Sequence, residues 1–184
     1  MRKLVSCLFV SLDGVAESPD QWQFAFDEEM GEAVTRSLEG NDTVLMGATT
    51  FTEWSGYWPS VTEGEDAGFA DWINGAPKYV ASTTLTSVDE WPGSRLLEGG
   101  LAEAVGALKE GEGGGISVAG SPSLVASLLE AGLLDELVLL IHPVIAGGGR
   151  RKLFADDAPL RKLTLVEARP TGSGVIIATY RPAR

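Results

Sequence analysis

Three short turns are the places in this chain where residue type and spacing suit a ligand: Gly47-Ala48-Thr49-Thr50, Ser82-Thr83-Thr84 and Gly120-Ser121. Each follows a short apolar run, and two of them open onto helical patterns. A glycine at such a turn lets the backbone approach a ligand closely, and the first N–H groups of a helix lack partners within it and suit a phosphate. Two such turns side by side would hold a pyrophosphate between them, which is the chemistry of dinucleotide binding. The same turns also serve any α/β protein, and Ser or Thr there simply caps helices. The fingerprint G-x-G-x-x-G is absent, so spacing alone leaves both readings open.

The elements that must position these turns are legible around the stretch from Gly115 to Phe154. Ile116 to Ala119 is an apolar run with β-branched members that stops at Gly120, and Ser121-Pro122 have the chemistry of an N-cap and first helical position. Leu124, Val125, Leu128 and Leu129 then recur at helical spacing. Gly132 stands where a left-handed C-terminal cap is expected, and Leu137 to Ile141 reads as a buried strand. This is a βαβ unit. Further strands are expected at Leu4 to Val10, Thr43 to Met46, Lys78 to Ala81 and Leu96-Leu97. Helices are expected to open at Asp27-Glu28-Glu29 and at Thr50, where Glu53 completes a capping box, and to cover Gly68 to Asn74 and Leu101 to Lys109.

Gly111 to Gly115 is glycine-rich, but it precedes a strand instead of following one and reads as a plain connector. Leu163 to Ala168 and Val175 to Tyr180 are joined only by Arg169 to Gly174, a connection short enough to require an antiparallel hairpin. The expected fold class is therefore α/β: a mixed, mostly parallel sheet flanked by helices, with a C-terminal antiparallel hairpin. One domain spanning residues 1–184 is expected, because no linker-like tract divides the chain.

Composition narrows the partners. With 14 Lys and Arg against 26 Asp and Glu the formal charge is -12, which argues against nucleic acid or an anionic membrane surface and for a small ligand. Cys7 is the single cysteine, so an internal disulfide or a cysteine-based metal cluster is excluded and a reducing cytoplasm is the expected setting. Leu4-Val5-Ser6-Cys7 has the look of a lipoprotein box, yet almost no hydrophobic region precedes it, and the run reads better as a strand.

Taken in order, SLDG, VLMGATTF, Tyr57-Trp58-Pro59, KYVASTTL, ISVAGSPSLVASLL, AGLLDEL and HPVIAGGGRRKLF, with a closing hairpin, resemble the dihydrofolate reductase-like family. Within that family the chain is similar to the branch of the C-terminal reductase domain of riboflavin biosynthesis. The resemblance covers nearly the whole chain. It implies an NADPH-binding fold and hydride transfer to a pteridine, pyrimidine or related heterocycle. Carried over by position, it sets Gly47, Thr49 and Thr50 beside the cofactor pyrophosphate, Ser82 and Thr83 near the adenosine, and Gly120, Ser121 and Leu124 at the second phosphate-facing helix. Members of the branch usually carry an arginine after the glycine of the second strand to pair with the 2′-phosphate; this chain has Ala48, which opens the way to NADH. The basic cluster Arg150, Arg151 and Lys152 is a candidate replacement if its loop folds inward, and is otherwise a solvated loop or a subunit contact.

Hydride addition to a C=N bond leaves charge on nitrogen that a donor or a bound water must neutralise. Asp13, at the mouth of the first strand, is the first candidate for that catalytic role, and Asp27, near the start of the first helix, is the second. Asp13 also reads as an ordinary Asp-Gly turn, and Asp27 with Glu28 as helix capping. His142 is read as structural, since it ends a buried strand before Pro143. Trp22 and Trp58 are candidate substrate-stacking residues, although aromatic side chains near helices commonly belong to the core. The resembling branch also implies a homodimer, with His142 to Phe154 as its apolar, glycine-rich face. Two further readings stay open: a ligand-binding protein that has lost turnover, and a 5-amino-6-(5-phosphoribosylamino)uracil reductase proper.

Overall fold

The computed structural model describes residues 1–183. Eight strands form one sheet: β1 (Leu4–Ser11), β2 (Asn41–Gly47), β3 (Lys78–Ala81), β4 (Ser94–Leu96), β5 (Gly115–Gly120), β6 (Glu136–His142), β7 (Leu163–Pro170) and β8 (Ile176–Pro182). Their order across the sheet is β4-β3-β2-β5-β1-β6-β8-β7. The first six in this order are mutually parallel, while β8 runs antiparallel to β6 and β7 antiparallel to β8. The expected α/β class, mixed sheet and closing hairpin are all present.

Five helices cover the faces: α1 (Glu28–Leu38), α2 (Ala48–Ser55), α3 (Ala67–Gly75), α4 (Leu101–Glu110) and α5 (Pro122–Glu130). The central parallel strands are buried on both sides, as their continuous apolar runs require; Val44, Leu45 and Met46 of β2 have no exposed surface. One core unites β1 and β5 with α5, through Leu4, Ile116, Val125 and Leu128. A second gathers β2 and β3 with Phe51, Ile73 and Trp91. The third sets Met30 and Ala33 of α1 against Val138 and Leu140 of β6 and Ile177 of β8. Each fully buried side chain of this kind contributes about 1.5–3 kcal/mol.

Gly132 has φ +69, the left-handed stop expected after α5. The start of α2 differs from expectation. Gly47 is its N-cap and no side chain caps it, so Thr50 lies inside the first turn and the expected Thr50–Glu53 capping box does not form. The strand passes directly into the helix, which leaves no residue between them to act as a side-chain cap. Gly114 lies at the opposite rim, where its carbonyl accepts from Arg2 Nε and its N–H donates to Asp42, so the Gly111 to Gly115 run connects α4 to β5 away from the turns of interest.

Lys78 was not marked by any sequence signal. Fully buried at the start of β3, its ammonium donates to the carbonyls of Ile73, Asn74 and Ala76 and lies 4.9 Å from the Trp91 ring centre. It closes the C-terminal end of α3, where cations are favoured.

Candidate active site

Because the strands carrying them are parallel neighbours, the three turns meet on one rim. Met46 of β2 is paired with Gly120 of β5, and Gly47 with Ala81 of β3. The turns after β2 and β5 are in contact: a methyl group added to Gly47 would stand 2.8 Å from Ser121 Oγ and 3.3 Å from the Ser121 nitrogen. Gly120 has φ +120, and a methyl group there would lie 3.0 Å from Thr50 Oγ1. The Gly120–Ser121 peptide is cis. Glycine is required at both places by space, and at Gly120 by backbone conformation as well.

Neither α2 nor α5 has a side-chain cap. Their first N–H groups, at Ala48, Thr49 and Thr50 and at Ser123 and Leu124, therefore point to the rim without an intrahelical acceptor. The partial positive charge of two helix ends falls on one rim, and the glycines let the two turns pack against each other there. This geometry fits a diphosphate. The hydroxyl of Ser121 stands 3.0 Å from that of Ser123, and Thr49 is exposed. Thr50 and Leu124 are buried, so each offers its main-chain N–H instead of its side chain. Beside Gly47, the Ser82 hydroxyl accepts from the N–H groups of Thr84 and Leu85 and folds an exposed turn that includes Thr83.

The acids expected to donate a proton have other engagements. Asp13 accepts from Ser11 Oγ at 2.6 Å and from the N–H groups of Ala146 and Gly147 at 2.9 Å each. The Ser11 hydroxyl, then those two amides, hold its carboxyl down at about 2. Such a group is an ionised clamp on the loop after β6 and a poor proton donor near neutrality, contrary to the role sought for it. Asp27 caps α1 through Met30 N–H at 2.9 Å and accepts from Ser173 Oγ at 2.6 Å in the β7–β8 turn. The Ser173 hydroxyl is the largest cause of its lowering to about 2. Glu29 joins the same clamp by accepting from Gly172 N–H at 2.7 Å.

The tryptophans expected to stack on substrate lie in separate places. Trp22 is 3 % exposed and donates from Nε1 to the Glu17 carbonyl, with its edge toward His142. Trp58 belongs to an aromatic group with Trp54, Tyr57 and Phe69 next to the second core. Trp22 is fixed by its packing, whereas half-buried Trp58 has an indole N–H with no hydrogen-bond partner.

The loop after β6 does fold inward, though toward β1. Leu12 N–H donates to the Val144 carbonyl, and Ala16 and Glu17 N–H both donate to Arg151 O. Arg150 donates to the Ala146 carbonyl and to Gln21, and Lys152 pairs with Asp156. Four strand intervals separate β6 from β3. At about 4.8 Å each, the end of β6 lies roughly 19 Å across the sheet from the end of β3. The contacts of Arg150 and Lys152 are all on the β1 side of the sheet.

A groove of about 770 Å³ runs along α1 from Phe26 and Asp27 past Gly31 and Thr35 to Glu39, with Glu65 opposite. Five carboxylates (Asp27, Glu28, Glu32, Glu39, Glu65) line it against one guanidinium, Arg36. Nothing in the sequence marked this groove beyond the acids at the start of α1.

A mixed sheet with two uncapped helix starts converging on a glycine-lined rim defines the class of dihydrofolate reductase-like folds. Dihydrofolate reductase from Enterococcus faecalis, solved with NADP(H), superimposes with a TM-score of 0.67 at 12 % identity over 99 % of this chain and 97 % of that one. A putative riboflavin biosynthesis protein from Shewanella sp. PV-4 superimposes at 0.75, with 20 % identity and 99 % of each chain covered. Residues 2–177 match the RibD C-terminal domain, and the chain belongs to that family. It is also 33 % identical to the Uncharacterized protein YyaP of Bacillus subtilis (strain 168), over 97 % of this chain and 94 % of that protein.

Proposed function

We propose that the protein is an NAD(P)H-dependent reductase of a small flat heterocycle of the pteridine or pyrimidine type. The observation that carries this reading is the contact between the turns at Gly47 and Gly120, which brings two uncapped helix starts side by side on one rim, where their free N–H groups would suit a diphosphate. Ala48 and Thr49 with Ser123 and Leu124 would bind the cofactor diphosphate through main-chain N–H groups, and Ser82 and Thr83 would flank its adenosine. When bound, a reduced nicotinamide supplies the hydride. The protein's part is to orient the two rings and keep water out, which accounts for far more rate than the roughly 10² to 10⁴ that a positioned acid gives. Proton delivery falls to an ordered water, since Asp13 and Asp27 are both committed as acceptors.

NADH is as acceptable as NADPH on this reading, because position 48 carries alanine and Arg150 and Lys152 are engaged on the β1 side of the sheet. The groove beside α1 is the place for the heterocycle. Its surplus of carboxylates opposes a ribosyl phosphate and so disfavours the riboflavin-pathway substrate. A homodimer is part of the same proposal. It is supported by the edge strand β7, which exposes Leu165 and Val166 to half of their full extent or nearly so.

The engagement of both acids favours one second reading, a ligand-binding protein without turnover. Following cofactor absorbance at 340 nm against dihydropteridines, pyrimidinediones and quinones separates the two: hydride transfer to any of them supports the reductase, and ligand binding with no cofactor oxidation across the panel supports the binder.

A further inference from the structure

His142 closes β6 on the same rim and is the one histidine of the chain. It is 1 % exposed, and its Nε2 is buried with no hydrogen-bond partner. Buried polar atoms are nearly always paired, so an orphan of this kind calls for an explanation. The polar groups around it are already committed: Asp27 to Met30 and Ser173, Trp22 Nε1 to the Glu17 carbonyl, and the Ser11 hydroxyl to Asp13. What surrounds the imidazole otherwise is aromatic. Its centroid lies 5.7 Å from the edge-on Trp22 ring and 5.9 Å from Phe9, and Phe9 is 6.2 Å from Phe26 at the head of the α1 groove.

We propose that Nε2 of His142, which lies behind Phe9 and Phe26 and outside the groove itself, is a hydrogen-bonding group for the ligand heterocycle, meeting a ring nitrogen or carbonyl at the edge of a flat molecule when those two rings part to admit it from the groove. The proposal rests on the heterocycle reading of this rim and adds the protein group that recognises the ring. A neutral imidazole carries one donor and one acceptor, which complements the N–H and C=O pattern along a pteridine or pyrimidine edge. Burial pushes its pKa down, against the opposing charge of Asp27, and favours that neutral form. Trp22, Phe9 and Phe26 give the apolar surround in which a single polar contact fixes orientation.

With one histidine, its ring nitrogens give an unambiguous signal in ¹⁵N-labelled protein. NADPH is added first and followed at the Gly47 and Gly120 amides, and then 7,8-dihydropterin or uracil is added. The Nε2 signal is expected to move with at least one of these probes. His142→Phe is expected to raise the melting temperature of the free protein by removing the orphan atom. It should also weaken probe binding about tenfold while altering NADPH affinity less than about twofold. A merely structural histidine would lose stability instead. His142→Gln, which keeps a donor and an acceptor, is expected to bind the probe more tightly than His142→Phe. The proposal is overturned if Nε2 is unmoved at saturating probe, if both variants bind it as wild type does, or if the wild type binds neither probe. Silence of the Gly47 and Gly120 amides toward NADPH would instead sink the reductase reading.

Discussion

Asp13 shows how far a residue's type is from its role. An aspartate at the mouth of the first strand is a reasonable acid on sequence grounds, yet its oxygens are taken by Ser11, Ala146 and Gly147, and its pKa falls from 3.8 to about 2. A carboxyl lowered on folding stabilises the fold above its unfolded pKa, and that contribution disappears as pH falls through the folded one. Wild type should therefore lose stability between about pH 4 and pH 2 more steeply than Asp13→Asn, which melting temperatures across that window will show. That clamp was invisible in the sequence because two of its three partners are main-chain amides more than 130 residues away. Ala48 is the opposite case, legible at once as a missing cation. Ala48→Arg should tighten NADPH about ten- to a hundredfold and leave NADH nearly unchanged, measured by fluorescence titration of each cofactor.

At the scale of elements, the decisive feature is a strand that becomes a helix without an intervening residue. Gly120 carries φ +120 and a methyl group there would lie 3.0 Å from Thr50 Oγ1, so Gly120→Ala should destabilise by about 1–3 kcal/mol in urea unfolding and weaken cofactor binding with it. The strand runs, the Gly132 stop and the short hairpin link were readable because each follows from local pattern. The start of α2 was misread because Thr50 and Glu53 have the spacing of a capping box, while Gly47 had already ended the strand. Long-range pairings escaped altogether. Asp27 and Glu29 of α1 tie down Ser173 and Gly172 of the β7–β8 turn, and only the folded sheet brings those two ends together.

Over the whole molecule, the order of the strands does what no motif could: it sets β2 beside β5 and carries the basic loop to the far side of β1. The fold was legible through seven modest motifs in sequence, but the separation of the Arg150 loop from the turn at Ser82 depends on topology and was not. The expected subunit face is mixed, with Ile145 77 % and Phe154 37 % exposed and His142 and Leu153 buried, and β7 presents Leu165 and Val166 at a free edge as a second apolar surface. Sedimentation at micromolar concentration should give twice the 19.4 kDa of one chain, and Leu165→Lys should return it to a single chain. The central claim is that the glycine turns at 47 and 120 form one diphosphate site. Calorimetric titration of NADPH and of NADH into the purified protein tests it most directly. Saturable binding of at least one, at or below about millimolar, is the result expected, and no heat from either cofactor at that concentration would contradict it.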